Sequence, residues 1–297
     1  MKIGVVGLGS MGYGIASSLL SAGLRVVGAD VNPIAVARFQ DAGGLKEDII
    51  STAADLDALV VVVLNDAQAE SVLFGDRGLV DKLSAGSLVM LCVTVSPDYA
   101  RSAAERCTAR GIDFLDAPIS GGAAKAAQGK LSVMASGSAA AFEKAKPLLE
   151  AMAETVFELG DRAGAGSAMK AVNQMLAGTH IAAMAEAITF GMTQGIEPAT
   201  FMQVIPHCAG TSWMLENRAP HIVSGDYTPR SAIDIWPKDL GIVLDAARAV
   251  KFAAPVTAAA LQQFLAASGM GLGREDDAAV AKVYARNAGL KLPEGDG

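Results

Sequence analysis

The stretch GLGSMG, residues Gly7 to Gly12, decides the fold of the first half of this chain. It follows a β-branched apolar run, Ile3 to Gly7, and opens a segment with helical spacing, Met11 to Ala22. In this pattern the first glycine permits a tight turn, the second lets the backbone approach a pyrophosphate, and the third allows close helix-to-strand packing. The stretch therefore predicts a loop that holds the phosphates of a dinucleotide at a helix N-terminus.

A carboxylate stands where such a loop needs one. Asp30 lies about 20 residues after the loop, at the end of the predicted strand Arg25 to Asp30, where it can accept hydrogen bonds from a ribose. Its charge repels a 2′-phosphate, and neither Val31 nor Asn32 supplies the arginine that usually binds one. The sequence thus predicts NAD rather than NADP. The structural alternative is a glycine-rich turn with a helix-capping aspartate nearby.

Further strands and helices alternate along the first half of the chain. The predicted strands are Ala58 to Leu64, Leu88 to Val93 and Ile112 to Ala117, and the predicted helices include Pro33 to Ala42 and Pro97 to Arg110. The run Ala58 to Leu64 shows no polar alternation, which is typical of a central strand buried on both faces. Residues 1–163 are therefore predicted to form an α/β Rossmann-type domain, a doubly wound parallel sheet.

From about Gly164 the β-branched runs nearly vanish, and Ala, Met, Leu and Gln form long helical segments. This composition predicts an all-α domain over residues 164–297, with a flexible boundary at Gly160 to Gly166. Between Ala163 and Met192 the only charged residues are Lys170 and Glu186, so the helix there is expected to be buried on every side. An apolar helical domain of this kind favours a homo-oligomer, a homodimer or homotetramer.

Lys170 is the candidate catalyst, because a lysine in an apolar helix is costly to keep without purpose. Asn173 and Gln174 follow at helical spacing and extend the same polar face. Burial and a neighbouring nicotinamide cation are expected to lower the lysine pKa, which suits a general acid/base in a hydroxyl-to-carbonyl reaction. The alternative is a lysine that extends its ammonium into water.

A second candidate element is the segment DAPISGG, Asp116 to Gly122, which ends a predicted strand. Ser120, Gly121 and Gly122 expose amides and a hydroxyl that can hold a carboxylate. From the local sequence alone, an ordinary turn explains these residues equally well.

Composition excludes several other classes of protein. The 297 residues carry 24 basic and 31 acidic side chains, a net charge of -7, which argues against nucleic-acid binding. The three cysteines have no metal-binding or disulfide spacing, and the three histidines form no metal motif, so no metal is expected. Polar residues interrupt the apolar stretch Met175 to Met192, so a membrane span is not predicted and a cytoplasmic location is expected.

Four motifs together resemble the β-hydroxyacid dehydrogenase family, whose members are 3-hydroxyisobutyrate dehydrogenase-like enzymes. They are GLGSMG, DAPISGG with the glycines and apolar residues that follow it, GAGSAMKAVNQ from Gly164 to Gln174, and Lys238-Asp239-Leu240. The resemblance implies that Lys170 is the acid/base and that Ser120, Gly121 and Gly122 hold the substrate carboxylate. It further implies that Asn173 contacts the substrate, that Thr94 lies beside nicotinamide and substrate, and that Lys238 closes over the cofactor.

The predicted cofactor-binding residues are those of the first loop and those at the ends of the next strands: Gly7, Leu8, Gly9, Ser10, Met11, Gly12, Asp30, Val31, Asn32, Leu64, Asn65, Thr94 and Lys238.

The second half of the chain bears on the substrate. Segments Ala209 to Arg218 and Gly225 to Ile235 resemble family members that oxidise L-threonate to a 2-oxo-tetronate. The alternatives are oxidation of 3-hydroxyisobutyrate and reduction of tartronate or succinic semialdehyde. A dinucleotide-binding module without catalysis is the non-enzymatic alternative, and the lone Lys170 argues against it.

Overall fold

The computed structural model describes residues 1–295. The chain forms two compact units, Met1–Lys170 and Ala171–Gly297, of which Asp296 and Gly297 lie outside the described residues. A boundary after residue 163, with domains 1–163 and 164–297, stays a prediction.

The first unit contains a sheet and its flanking helices. The strands are β1 Lys2–Val6, β2 Arg25–Ala29, β3 Ala58–Val61, β4 Leu88–Leu91, β5 Asp113–Asp116, β6 Ile119–Ser120, β7 Leu131–Gly137 and β8 Ala153–Glu158. The helices are α1 Ser10–Ser21, α2 Pro33–Asp41, α3 Asp66–Phe74, α4 Pro97–Thr108, α5 Gly122–Ala127 and α6 Ala139–Met152.

Helices make up the second unit. The long helix α7, Ala165–Thr193, continues from the first unit into the second. It is followed by α8 Pro198–Val204, α9 Trp213–Ser224, α10 Ile235–Ala249, α11 Pro255–Ala267 and α12 Ala281–Ala288. A π-helical turn, Ser268–Leu272, and a 3-10 turn, Asp277–Val280, lie between α11 and α12. The described residues of this unit contain no strand, as the sequence predicts for an all-α domain.

The sheet has the strand order β2-β1-β3-β4-β5-β7-β6, with β8 paired to β7. Strands β1 to β5 are parallel, and β7 runs antiparallel to β5. Leu45 forms a single parallel bridge with Val27 beyond β2, at the position that a third strand takes in the doubly wound order. The chain leaves β1 toward β2 on one side and returns to β3 on the other. The carboxyl ends of β1 and β3 therefore mark the switch point where ligands bind in such sheets.

Alternation along the central strands places a core on each face of the sheet. In β4, Leu88 and Met90 pack in one cluster with residues of α1 and α6, whereas Val89 and Leu91 pack in a second cluster with residues of α3 and α4. Covering both faces explains the unbroken apolar sequence of the central strands. The predicted doubly wound α/β domain is confirmed.

Helix starts follow local sequence signals. Asn32, Asn65, Ser96 and Ser138 each accept a hydrogen bond from a backbone N–H in the first turn of α2, α3, α4 and α6. Such caps satisfy donors that the helix leaves unpaired, each stabilising by about 1 kcal/mol. They place the loops that precede these helices.

The structure differs from the sequence prediction in two parts of the sheet. Strand β3 ends at Val61 rather than Leu64, because the chain turns there and the Leu64 amide bonds to the Gln68 side chain instead of a neighbouring strand. Strands β7 and β8 have no counterpart in the prediction. Small residues interrupt the apolar pattern of β7, where a Cβ on Gly137 would lie 2.8 Å from the Phe114 carbonyl oxygen.

The structure bears on two expectations about α7. Its side chains Met169, Val172, Leu176 and Phe190 are exposed, so this chain alone does not bury the helix on every side, and burial of these residues by a further copy stays a prediction. The expected flexible boundary, Gly160 to Gly166, instead contains the start of α7, because buried side chains bind its amides. Among the described residues, no helix combines the length and apolarity needed to cross a membrane.

Candidate functional site

The first and third glycines of the GLGSMG loop are required by the protein itself. Gly7 has φ of +96°, and a Cβ there would lie 2.1 Å from the Val62 carbonyl oxygen. A Cβ on Gly12 would lie 1.8 Å from the Gly7 carbonyl oxygen. These contacts give the tight turn and the close helix packing that the sequence predicts.

Gly9 is different, since protein packing gives no reason for its missing side chain. A Cβ there would meet nothing within 4 Å, and its backbone is extended at the start of α1, with no side-chain cap on the helix. Open space beside uncapped helix amides suits the approach of a pyrophosphate. Val31 and Leu64, at the ends of the next two strands, are 102% and 66% exposed, which leaves apolar surface for an adenosine. The loop therefore fits a dinucleotide.

Asp30 is tied to this loop. Its Oδ2 accepts a hydrogen bond of 2.6 Å from the Leu8 amide, and its Oδ1 accepts one of 2.8 Å from the Asn32 amide. Asn32 and Asn65, also predicted to bind cofactor, cap α2 and α3 through their side chains. Each carboxylate oxygen can accept a further hydrogen bond, so Asp30 can still accept one from a ribose, and that contact stays a prediction.

Ser10 and Met11 begin α1, and Met11 packs partly against the core.

The parallel sheet collects the predicted positions on one edge. Gly7, Asp30, Leu64 with Asn65, and Thr94 follow β1, β2, β3 and β4, and the carboxyl ends of parallel strands lie together. Thr94 is partly exposed. This edge holds nearly all the predicted cofactor-binding residues of the first unit.

The turn after β5 requires its glycines for backbone reasons. Ser120 pairs with Ser132 in β6 and β7, and Gly121 and Gly122 have φ of +134° and +78°. Gly122 is exposed, and a Cβ on it would meet nothing within 4 Å, so the space beside this residue is open. The turn is compatible with a carboxylate cradle, and that role stays a prediction.

Asp116 fixes the first turn of α7, and the sequence analysis does not assign it this role. Its carboxylate is fully buried and accepts hydrogen bonds from the Gly164 amide (2.8 Å), the Ser167 amide (2.9 Å) and hydroxyl (2.7 Å), and the Ser136 hydroxyl (3.2 Å). Burial raises the pKa of Asp116, while these four donors oppose that rise. The only hint in the sequence is an aspartate at the end of an apolar strand.

Lys170 follows the anchored turn directly. The residue is 8% exposed, so most of its side chain is buried. A buried lysine close to an anchored helix start suits a general acid/base, and that role stays a prediction.

A chain of polar side chains lies further along in the second unit. The Asn173 amide Nδ2 donates to Gln174 Oε1 at 2.9 Å, and Gln174 Nε2 donates to Asp239 Oδ2 at 2.5 Å. Lys238 Nζ lies 2.6 Å from Asp239 Oδ1, so the two side chains form an ion pair. The sequence places Gln174 on the same polar face of the helix as Lys170 and Asn173, but it predicts no role for Asp239.

Two neighbouring aspartates near the C-terminus, Asp276 and Asp277, make contacts beyond helix capping. Asp276 does accept from the Ala278 amide, but it also lies 2.7 Å from His221 Nδ1. Asp277 pairs with Arg218 and accepts from Trp236 Nε1 at 3.0 Å. Both carboxylates are fully buried, so the cluster is part of the core of the second unit.

Trp213 and His180 are a surface position and a partly buried position. Trp213 is 63% exposed, and His180 is half-buried on α7. Within residues 1–295, no group of histidine, cysteine and acidic side chains is arranged to hold a metal ion.

Comparisons with known proteins agree with this geometry. Residues 2–160 match the family model described as the NAD-binding domain of 6-phosphogluconate dehydrogenase, and residues 164–284 match the one described as NAD-binding of NADP-dependent 3-hydroxyisobutyrate dehydrogenase. An L-threonate dehydrogenase of Cupriavidus necator is 48% identical, over 98% of each chain. One of Escherichia coli is 46% identical, over 98% of this chain and 96% of that protein.

A crystal structure of 3-hydroxyisobutyrate dehydrogenase from Salmonella typhimurium is 48% identical in sequence and superposes with a TM-score of 0.90. The match covers 95% of this chain and 99% of that chain.

The fold, the loop and these matches define an oxidoreductase of the dehydrogenase class that uses NAD as its cofactor. The chain belongs to the β-hydroxyacid dehydrogenase family, the 3-hydroxyisobutyrate dehydrogenase-like enzymes.

Proposed function

We propose that this enzyme oxidises L-threonate at C2 to a 2-oxo-tetronate, with NAD as acceptor and Lys170 as general acid/base. The family assignment supports NAD-dependent oxidation of a hydroxy acid. The substrate rests on the relatives of 45 to 48% identity that are named L-threonate dehydrogenase. The single structural observation behind the catalyst is the burial of Lys170 one turn after the turn anchored by Asp116.

In this proposal the first unit holds the cofactor. The amides of Gly7 to Gly12 face the pyrophosphate, Asp30 accepts from the adenosine ribose, and Val31 and Leu64 cover the adenine. NAD supplies the acceptor for hydride. Lys238 also contacts the cofactor, the role that the family resemblance implies.

The substrate is held by its carboxylate and hydroxyls. Ser120, Gly121 and Gly122 bind the carboxylate, and Asn173 contacts a hydroxyl. The neutral amine of Lys170 accepts the proton of the C2 hydroxyl while the C2–H bond breaks, its electron pair leaves with the hydride, and the C2–O double bond forms. Thr94 lies beside the reacting carbon. In the reverse direction the protonated Lys170 returns its proton to the alkoxide.

One observation favours a second candidate substrate. The Salmonella typhimurium structure, as similar in sequence as the L-threonate dehydrogenases, is described as a 3-hydroxyisobutyrate dehydrogenase. 3-Hydroxyisobutyrate carries its only hydroxyl on C3 and a methyl group on C2, where L-threonate has the hydroxyl that is oxidised in this proposal. The two acids therefore test which carbon the substrate site presents for oxidation and whether the site around C2 is polar.

The proposed assembly is a homodimer or homotetramer. Met169, Val172, Leu176 and Phe190 recur at helical spacing along one exposed stripe of α7, and a second copy of this chain can cover it. Light scattering behind size exclusion measures the assembled mass, and a monomer would contradict this proposal. A cytoplasmic location stays a prediction from the sequence.

The test of function is a panel of three- to six-carbon hydroxy acids, assayed with NAD and with NADP by absorbance of the reduced nicotinamide. We expect the highest kcat/KM for L-threonate with NAD. A higher kcat/KM for 3-hydroxyisobutyrate or glycerate would overturn the substrate and leave the family assignment in place.

A further inference from the structure

Asp239 ends a hydrogen-bonded chain that can run in only one direction. It is 2% exposed and lies on α10, where its two oxygens face Gln174 Nε2 and Lys238 Nζ. A carboxylate has acceptor oxygens only, so whatever side chain binds Oδ2 must present a donor. Asp239 therefore determines which end of the Gln174 amide points toward it.

The orientation of Gln174 in turn determines that of Asn173. With Nε2 committed to Asp239, Gln174 offers Oε1 to Asn173, and that oxygen accepts from Asn173 Nδ2. Asn173 must then turn its nitrogen toward Gln174 and its Oδ1 away from it. Without the carboxylate at the end of the chain, both amides could rotate by half a turn and form an equally good pair of bonds.

Burial makes this constraint effective. Gln174 and Asp239 are both buried, and water is not available to accept or donate where one partner is missing. A reversed Gln174 would bring its Oε1 against a carboxylate oxygen and lose a charge-assisted hydrogen bond. Through these hydrogen bonds, Asp239 on α10 sets the orientation of the Asn173 amide on α7.

We propose that Asp239 is a positioning residue that makes Asn173 present its carbonyl oxygen to a substrate hydroxyl, which selects short hydroxylated acids over their deoxy or methyl analogues. This inference rests on the proposed function, because it takes Asn173 as a substrate contact. An acceptor at that position gains a hydrogen bond from a hydroxyl and nothing from a hydrogen or methyl. A buried acceptor left unpaired is also costly, so the site both favours the hydroxylated acid and disfavours its deoxy or methyl analogue.

The test compares L-threonate with its 3-deoxy and 4-deoxy analogues. The measured quantity is the ratio of kcat/KM for L-threonate to that for the poorer analogue, in the parent and in Asp239→Asn. We expect the ratio to fall about tenfold in the variant, the size of one lost hydrogen bond to a buried partner. Asp245→Asn removes an exposed carboxylate from the same helix and is expected to keep the parental ratio.

A second variant separates amide orientation from a general loss of structure. In the double variant Asp239→Asn with Gln174→Glu, the new amide at position 239 can donate to the new carboxylate at position 174. The other oxygen of that carboxylate still accepts from Asn173 Nδ2, so the polarity of Asn173 is restored. We expect the double variant to recover most of the parental ratio, which a purely structural role of Asp239 does not predict.

Binding measurements test the inference in variants whose turnover is too slow for kcat/KM to be measured. Calorimetric dissociation constants for the three acids, taken with saturating NADH so that no reaction occurs, should show the same loss and recovery of the ratio. An Asp239→Asn variant with the parental ratio, or a double variant that stays at the reduced ratio, overturns the inference while the proposed function stands. A parent that neither binds nor oxidises any of these acids overturns the proposed function, and this inference with it.

Discussion

Adding one methyl group at Gly9 should separate cofactor binding from folding. A Cβ at Gly9 meets no protein atom within 4 Å, and the residue already has an extended backbone that alanine can adopt. Alanine is a poorer helix N-cap than glycine, but it also reduces the freedom of the unfolded chain, and the two effects nearly offset. We expect the free energy of unfolding of Gly9→Ala to change by less than about 1 kcal/mol.

Affinity for NAD should nevertheless fall. The methyl group occupies the space through which a phosphate reaches the helix amides, at the cost of at least one charge-assisted hydrogen bond of about 1.5–3 kcal/mol. That corresponds to roughly a 10- to 150-fold higher Kd for NAD. Calorimetric titration with NAD and urea unfolding of the same preparation give both quantities.

Gly12→Ala and Gly191→Ala are the matched controls. A Cβ on Gly12 lies 1.8 Å from the Gly7 carbonyl oxygen, so that variant should lose about 1–3 kcal/mol of stability together with its NAD affinity. A Cβ on Gly191 in α7 lies 3.7 Å from its nearest neighbour, Ile196 Cβ, so that variant should keep both. Unchanged NAD affinity in Gly9→Ala would refute the reasoning that Gly9 is kept for a ligand.

Three further changes test other parts of the account. Asp30→Ser with Val31→Arg should shift the ratio of NADP to NAD affinity by about 1–3 kcal/mol toward NADP, and calorimetry with both cofactors measures it; an unchanged ratio would remove Asp30 from the ribose site. Because burial raises the pKa of Asp116 above its usual 3.8, the folded state holds that proton more tightly than the unfolded chain does. The protonated Asp116 side chain therefore stabilises the folded state at low pH, and this stabilisation is lost as pH rises through the raised pKa. In urea unfolding across pH 4 to 7, the free energy of unfolding of Asp116→Asn should rise relative to that of the parent as pH rises. The same difference between variant and parent at every pH would contradict this. Arg218→Met leaves the fully buried Asp277 without its cation and should cost about 3–5 kcal/mol in urea unfolding, whereas a loss below about 1 kcal/mol would show that the pair contributes little.

The sequence predicts those parts of the fold that local patterns determine. The glycine loop, β1 to β5 and the helices α1, α2 and α4 follow from apolar runs bounded by turn residues, and each lies within a few residues of its predicted position. Strand β7 could not be predicted because small residues interrupt its apolar pattern, and its antiparallel pairing with β5 depends on distant backbone. Strand β8 could not be predicted because it is short, half polar and largely exposed, and among the described strands it pairs only with β7. The exposed stripe of α7 could not be predicted, because composition shows that a helix is apolar but does not show which of its faces the neighbouring elements cover.

The same distinction between local patterns and distant partners applies to the site residues. Those carried by a motif with a stated spacing, such as Gly9, Asp30 and Lys170, can be proposed from the sequence. Asp116 and Asp239 act through hydrogen bonds to residues far along the chain, 48 and 65 positions away for Gly164 and Gln174, and no local pattern marks such partners. Buried carboxylates of this kind become visible only when their donors are located.

The most direct test of the central claim is turnover by Lys170→Met, measured together with its affinity for NAD. Methionine keeps a long apolar stem and removes the ammonium, so the variant should fold as well as the parent and bind NAD normally, since the loop of Gly7 to Gly12 is unchanged. Without a group to accept the hydroxyl proton, kcat at saturating L-threonate should fall by about two to four orders of magnitude. Lys130→Met, which changes an exposed lysine of the same unit, should keep parental kcat. Near-parental turnover in Lys170→Met with intact NAD binding would contradict the assignment of Lys170 as the acid/base.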